Sequence, residues 1–395
     1  MSVVAPVILA AGMGSRMKSG TPKVLHKIGG RAMISHLLAT VGSITDEEAV
    51  VVVAPGMDDV KGEVSPARCV IQPDAKGTGH AVKCALPEVK EGADTVLVLY
   101  GDTSLLSRET LIKMIEAASA DKKPAVVVLG FEPADPLEYG RLVLDQKGDL
   151  AAITEYADAD ETVRKIGLCN SGVMAIRGDI ASELINEISS NNAKQEFYLT
   201  DIVEIANRKG YTCTAVIGDE DELLGVNNRE QLANAEAVLQ RQWRKQALES
   251  GVTLIDPDTV FFSHDTQIGQ DVVIEPNVFF GPGVKIGDNC QIKAFSHLEG
   301  CSVENSSTIG PFARLRPGAS LGENVKIGNF VEVKKSRLDD GAKVSHLSYI
   351  GDAHVGADAN IGAGTSPATM MGMINSRQRL EPEPLSDPTP HWSRR

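Results

Sequence analysis

From about residue 252 onward, one apolar side chain recurs every six positions. The run begins with Ile268, Ile274, Phe280, Ile286, Ile292 and Leu298. After a slip it resumes at Ile309, Leu315, Leu321, Ile327 and Val333, then at Leu338, Val344 and Ile350, and finally at Val355 and Ile361. Glycine often follows, as at Gly269, Gly281, Gly287, Gly322 and Gly328. This hexapeptide period marks a parallel β-helix, in which each hexad is one face of a triangular coil and its apolar residue points into the prism. A single coil cannot bury its face alone, so neighbouring coils must stack. Unrelated strands would not hold one register through so many repeats. Residues 366–395 lose the period, carry several prolines and charges, and are expected to be a disordered tail.

The first part of the chain obeys a different pattern. Residues 1–227 alternate short apolar runs with helical stretches: strands are expected at 6–10, 49–54, 69–72, 95–100 and 125–131. This is the pattern of a parallel α/β sheet. The stretch YGRLVLDQKGDLAAITEY reads instead as a hairpin around a Lys-Gly turn, a natural wall for a substrate pocket. Residues 228–250 form a charged segment with apolar positions at Leu232, Ala235, Leu239, Trp243 and Ala247. Spacings of three and four predict one long helix ending at Ser250-Gly251, a helical arm between 1–227 and the β-helix of 251–365.

Composition narrows the classes of function. With 42% hydrophobic and 23% charged residues the chain is globular in type, and its formal charge of −14 disfavours nucleic acid or an anionic membrane as partner. It leaves room for a local basic pocket that takes an anionic small molecule. The six cysteines are scattered without a C-x-x-C pair, which points to free thiols in a reducing compartment and argues against zinc. No basic and apolar leader precedes the first strand and no apolar run is long enough to span a bilayer, so a cytoplasmic location is expected.

The motif richest in chemistry is LAAGMGSRMKSGTPKVLHKIGG, residues 9–30. A strand runs into a loop with Gly12 and Gly14, followed by the cations Arg16 and Lys23. Glycines let backbone N–H groups approach phosphate oxygens closely. Arg16 and Lys23 are suited to neutralise a triphosphate and the charge that develops at its α-phosphorus. The run lacks the G-K-[ST] of a Walker loop and the spacing of a dinucleotide fingerprint.

This motif resembles the signature of the sugar-1-phosphate nucleotidylyltransferases. Its PKVLH ending resembles that of the bacterial bifunctional enzymes that combine N-acetylglucosamine-1-phosphate uridylyltransferase and glucosamine-1-phosphate N-acetyltransferase activities. The resemblance spans residues 5–365. It implies a Rossmann-like α/β nucleotidyltransferase domain, a helical arm and a left-handed parallel β-helix of hexapeptide repeats. It further implies that Leu9, Ala10, Ala11, Gly12, Gly14 and Lys23 hold the nucleotide, with Gln72, Gly77 and Thr78 reading uracil. Tyr100, Gly101 and Asp102 of LYGDT continue that site, and Asp102 with Asn227 of GVNNREQL would bind Mg²⁺ through oxygen. Gly140, Glu155 and Asn170 match contacts to an acetamido sugar, and Tyr198 and Thr200 lie in a matching segment. The implied reaction is in-line attack by the phosphate of N-acetylglucosamine 1-phosphate on the α-phosphorus of UTP, with Arg16 and Lys23 catalytic, for cell-envelope precursor synthesis. Glu155, the CNSG segment and PKVLH argue against ADP-glucose or GDP-mannose types. Intact Arg16, Lys23, Asp102 and Asn227 argue against a non-catalytic scaffold.

In the repeats, the same resemblance assigns Arg316 and Lys334 to a sugar phosphate, His346 to the base that deprotonates glucosamine 1-phosphate, and Tyr349 and Asn360 to sugar contacts. Acetyl-CoA would be the co-substrate, and a homotrimer through the β-helix is implied. The chain then departs from the family pattern. After NIGAGT the family continues I-T-C-N-Y-D-G, whereas this chain reads SPATMMG from Ser366. Suitable codons for Ser366 to Gly372, read one base upstream, encode Ile-Thr-Cys-Asn-Tyr-Asp-Gly. A lost base near codon 365 would explain this, and the acetyltransferase half is expected to be impaired; the alternative is a fully bifunctional enzyme.

Overall fold

The computed structural model describes residues 2–136, 139–192, 195–366 and 378–380. The chain forms two compact units, Met1–Ala237 and Val238–Arg395. The division falls inside the helix Arg229–Glu249, whereas the sequence pattern set the arm apart as 228–250.

The first unit is built on a mixed sheet. Its strand order is Cys213–Ile217, Val126–Phe131, Cys169–Arg177, Thr95–Tyr100, Val4–Leu9, Val50–Val53, Arg68–Ile71. Neighbours run parallel except Cys169–Arg177, which is antiparallel to both strands beside it. Side chains alternate between two buried faces. Val7, Val50, Val52, Val96 and Val98 enter one core; Ile8, Val51, Val53, Leu97 and Leu99 enter the other. Both faces are covered because helices pack on each: Ala81, Val82 and Ala85 of Thr78–Ala85 on the first, and Ile34, Leu37 and Val41 of Met33–Gly42 on the second. A sheet buried on both sides needs near-continuous apolar strands, which is how VVVV and TVLVLY read. The hairpin is present as Arg141–Leu144 against Leu150–Thr154. Its turn is closed by Asp145 Oδ1, which accepts from Lys147 N and Asp149 N, with Gly148 at φ 84°.

The second unit is the β-helix. Its inward residues stack in three columns. One is Ile268, Ile286, Val303, Leu321, Leu338 and Val355. The next is Ile274, Ile292, Ile309, Ile327, Val344 and Ile361. The third is Phe280, Leu298, Leu315, Val333 and Ile350. The slip in the sequence is thus no break in the stack. Val303 fills the missing inward place, and each of the steps Leu298–Val303, Val333–Leu338 and Ile350–Val355 is one residue short at the same corner.

At another corner Phe295, Phe312, Phe330 and Leu347 all take left-handed backbone conformations, with φ between 50° and 59°. That region is costly for bulky side chains. Stacking offsets part of the cost: the ring centroids of Phe295 and Phe312 are 4.9 Å apart, and those of Phe312 and Phe330 5.2 Å. Of the expected disordered tail, most lies outside the described residues. Gln378–Leu380 departs from that expectation, pairing in parallel with Ala353–Val355. All six cysteines are free. Among the described residues, no helix is long and apolar enough to cross a membrane.

Candidate functional site

The strands Val4–Leu9 and Thr95–Tyr100 both end at a cavity of about 410 Å³, the place where parallel α/β sheets receive ligands. A larger cleft of about 1280 Å³ lies at the opposite end of the strands, lined by residues such as Asp94, Thr95 and Arg177, and contains none of the expected site residues.

The glycine loop follows Leu9. A Cβ at Gly12 would meet nothing within 4 Å, so the space beside it is open to a ligand. Gly14 is different: it has φ 70°, and its Cβ would lie 2.6 Å from Lys23 Cβ. Glycine here lets the stem of Lys23 pass against the loop. Lys23 then reaches the cavity, where Nζ donates to Asp102 Oδ2 and, at 3.0 Å, to Asn227 Oδ1. Both charged side chains are well enclosed, at 14% and 15% exposure. Gly101 packs against Val24 and the end of the first strand, its Cβ position 3.0 Å from Val24 Cγ1 and 3.4 Å from Leu9 O.

The opposite wall is formed by Gln72, Gly77 and Thr78 together with the segment Glu196–Thr200. Gly77 has φ 101°, and a Cβ there would lie 2.6 Å from Phe197 O, so only glycine allows the two segments to meet. Phe197 N donates to Lys76 O, Gly79 N to Phe197 O, and Leu199 N to Thr78 Oγ1. Gln72 is buried; its Nε2 donates to Gly77 O at 3.0 Å and lies 3.2 Å from His80 Nδ1. Its donor end is therefore engaged within the protein, leaving Oε1 as the atom suited to accept from a ligand.

Glu155, Asn170, Tyr198 and Thr200 complete the lining. Thr200 Oγ1 donates to Glu155 Oε1 at 3.2 Å, and Asn170 Oδ1 accepts from Gly172 N at 2.9 Å. Gly140 adjoins both, since its Cβ position is 3.6 Å from Asn170 Cβ and from Glu155 Oε2. Burial pushes the pKa of the Tyr100 hydroxyl up, and this hydroxyl hydrogen-bonds the Thr78 side chain. Arg16 stands apart: it is exposed on the short turn Ser15–Met17 and is not among the cavity residues.

Two polar residues not singled out from the sequence bear on the site. Glu196 lines the cavity. Arg141, only 2% exposed, supports it from behind. Its guanidinium donates to the carbonyls of Tyr139, Pro136 and Arg164 and lies 5.7 Å from the Tyr156 ring centroid. It thereby ties the backbone on both sides of Gly140 and Glu155. The signal was an arginine inside an otherwise apolar strand, RLVL, since a buried arginine must find several acceptors.

Asp102 and Asn227 suit a magnesium ion. Their oxygens converge on a single cation, here the Lys23 ammonium, and they are hard donors. Among the described residues, no three His, Cys, Asp or Glu side chains cluster to hold a metal.

In the β-helix unit, Arg316 and Lys334 are stacked on successive coils, Arg316 N donating to Val333 O. Arg316 pairs with Glu332 at 2.8 Å, and Lys334 Nζ lies 3.9 Å from Asp352. Tyr349 folds over Gly351, the residue opposite Lys334. His346 is exposed and sits opposite Asn329, whereas Asn360 sits opposite Lys343.

Comparison with known proteins accords with both units. The MobA-like NTP transferase domain matches residues 6–166. The bacterial transferase hexapeptide (six repeats) matches 265–300 and 300–335, as expected for a left-handed β-helix. The bifunctional protein GlmU of Paramagnetospirillum magneticum is 56% identical over 375 residues, covering 95% of this chain and 83% of that protein. The bifunctional protein GlmU of Xanthobacter autotrophicus is 52% identical, covering 95% of this chain and 84% of that protein. That of Rhodospirillum rubrum is 55% identical, with 92% and 82% covered. Identity at this level across nucleotidyltransferase unit and repeats together means that the chain belongs to the GlmU family of bifunctional proteins.

Proposed function

We infer that the first unit is a uridylyltransferase that joins UTP and N-acetylglucosamine 1-phosphate into UDP-N-acetylglucosamine and pyrophosphate. The observation that carries this reading is one cavity that gathers a glycine loop, a lysine, Asp102, an amide reader and the Glu155–Asn170 pair. The open side of Gly12 receives phosphate, and Gln72 Oε1 accepts from the N3–H of uracil. Glu155 and Asn170 hold the hydroxyl and acetamido groups of the sugar. The sugar phosphate is already an anion, so no protein base is needed; positioning and charge stabilisation supply the rate. Lys23 meets the charge at the α-phosphorus, and Arg16 reaches the triphosphate from its exposed turn. Asp102 and Asn227 would hold Mg²⁺, which when bound neutralises phosphate charge as a Lewis acid. Asp102→Ala is expected to abolish pyrophosphate release from UTP and N-acetylglucosamine 1-phosphate. Turnover like that of the parent chain would overturn the metal assignment.

For the β-helix unit we propose that Arg316 and Lys334 take the phosphate of glucosamine 1-phosphate, Tyr349 and Asn360 touch its sugar, and His346 takes the proton of its amine, with acetyl-CoA as donor. Thiol release is expected to be far slower than in a chain whose residues from 366 onward read I-T-C-N-Y-D-G. Equal rates in the two would show that this segment is dispensable. The unit is proposed to assemble as a homotrimer, in keeping with the exposed apolar corner of Phe295, Phe312, Phe330 and Leu347. A cytoplasmic location suits these soluble substrates.

A further inference from the structure

Lys23 carries an arrangement that its role at the triphosphate does not explain. Its ammonium is bound by two oxygens, Asp102 Oδ2 and Asn227 Oδ1. These are the same two oxygens assigned above to the divalent cation. Asn227 is aimed at this point, because its backbone N–H donates to Gln231 Oε1 at 2.7 Å and its Nδ2 faces Gly225 O. One position cannot hold an ammonium and a metal ion together, so one must leave when the other arrives.

We propose that Lys23 is an internal stand-in for the divalent cation: it holds Asp102 and Asn227 at the metal position and releases them only when phosphate is present to receive its charge. The proposal rests on the uridylyltransferase reading. Lys23 and Asp102 form a neutral, enclosed pair. A divalent ion entering alone would take the carboxylate and leave the largely enclosed ammonium without its counter-ion, which is unfavourable. Nucleotide changes that balance, since the triphosphate brings several negative charges to the glycine loop, beside which the stem of Lys23 is packed. The stem runs along the loop, since a Cβ on Gly14 would lie 2.6 Å from Lys23 Cβ. The ammonium has only to swing from Asp102 to the phosphates. Lys23 therefore couples the two binding events, and the free protein should bind divalent ions poorly although both protein ligands are in place.

The test uses Mn²⁺ binding, read by the electron paramagnetic resonance signal of the free ion, with the full chain and no nucleotide. Lys23→Met, which keeps the stem and removes the charge, is expected to bind Mn²⁺ about tenfold more tightly than the parent chain, or better. Adding Asp102→Ala to it should remove the gain. Lys23→Gln serves the same purpose if the methionine variant melts early. A second arm measures binding of Mn²⁺–UTP to the parent chain and to Asp102→Ala. If the second arm depends on Asp102 but Lys23→Met and Lys23→Gln gain no Mn²⁺ affinity, the stand-in role is overturned while the uridylyltransferase reading survives. If Mn²⁺–UTP binding does not depend on Asp102, the metal assignment fails and the proposal falls with it.

Discussion

Gly14 shows how a single missing Cβ can set chemistry several residues away. Its backbone is left-handed and its Cβ position is filled by Lys23. Gly14→Ala is therefore expected to lower kcat/KM at least tenfold by displacing Lys23, since strain of this kind costs about 1–3 kcal/mol. Steady-state pyrophosphate release checks this, with thermal melting to show that the fold persists. Gly12→Ala, with open space around it, should instead act through nucleotide affinity. A second residue-scale expectation concerns Asp201. Burial, then the charges of Glu204, Glu155 and Asp158, push its pKa up to about 6. The folded chain then holds this proton more tightly than the unfolded chain does. The resulting stabilisation is present below about pH 4 and is lost as pH rises toward 6. Asp201→Asn should accordingly raise the stability at pH 7 by about 1–2 kcal/mol after allowance for solvent screening, with the gain gone near pH 4. Chemical denaturation at the two pH values would decide it. The loop glycines, the lysine and Asp102 were legible because each sits in a short local motif. Arg16 was equally legible as a cation, but nothing in its motif tells that it stands outside the cavity.

At the scale of elements, the sequence concealed two strands of the sheet, the edge strand Cys213–Ile217 and the antiparallel Cys169–Arg177. Its opening, CNSG, has the composition of a turn, and Asn170 indeed makes a local bond to Gly172 N at 2.9 Å. Only pairing with Thr95–Tyr100 and Val126–Phe131, distant in sequence, makes it a strand. The strands Val4–Leu9, Val50–Val53, Thr95–Tyr100 and Val126–Phe131 were legible because both of their faces are buried and their apolar runs are unbroken. The hairpin Arg141–Thr154 was legible from its turn, but not the side chains that help to hold it, Arg141 and, through the carbonyls of Leu150 and Ala151, Asn207. Arg141→Lys keeps the charge and loses the planar fork that reaches three carbonyls. The expected result is a rise of roughly tenfold in KM for N-acetylglucosamine 1-phosphate, with KM for UTP changed less than about twofold, because the fork supports the wall that carries Gly140 and Glu155. Equal rises in both would mean that the variant disturbs the whole unit.

At the scale of the molecule, a net charge of −14 surrounds a site built for anions, so the cations that matter are few and placed. The β-helix adds an apolar corner in which Phe295, Phe312 and Phe330 are each about half exposed, at 53%, 46% and 55%. A column of this kind favours self-association. Light scattering at micromolar concentration should report trimers, and Phe312→Ser with Phe330→Ser should shift the population toward monomer. A clean monomer in the parent chain would remove the trimer from consideration. The period that revealed this unit was legible because stacking demands one apolar residue at each inward place. The slips in it were not, because a count of residues along the chain cannot distinguish a lost repeat from a shortened corner.

That shortened corner has a mechanical consequence. Every coil is 17 or 18 residues long, as the column Phe280, Leu298, Leu315, Val333, Ile350 records, and each is tied to the next by hydrogen bonds running along the axis. A load drawing the two ends of the β-helix apart meets those bonds one coil at a time, like turns leaving a spool. Each turn released would lengthen the chain by about 60 Å at full extension. Stretched between a surface and a cantilever, the unit should yield in a staircase of small, nearly equal steps rather than in one rupture.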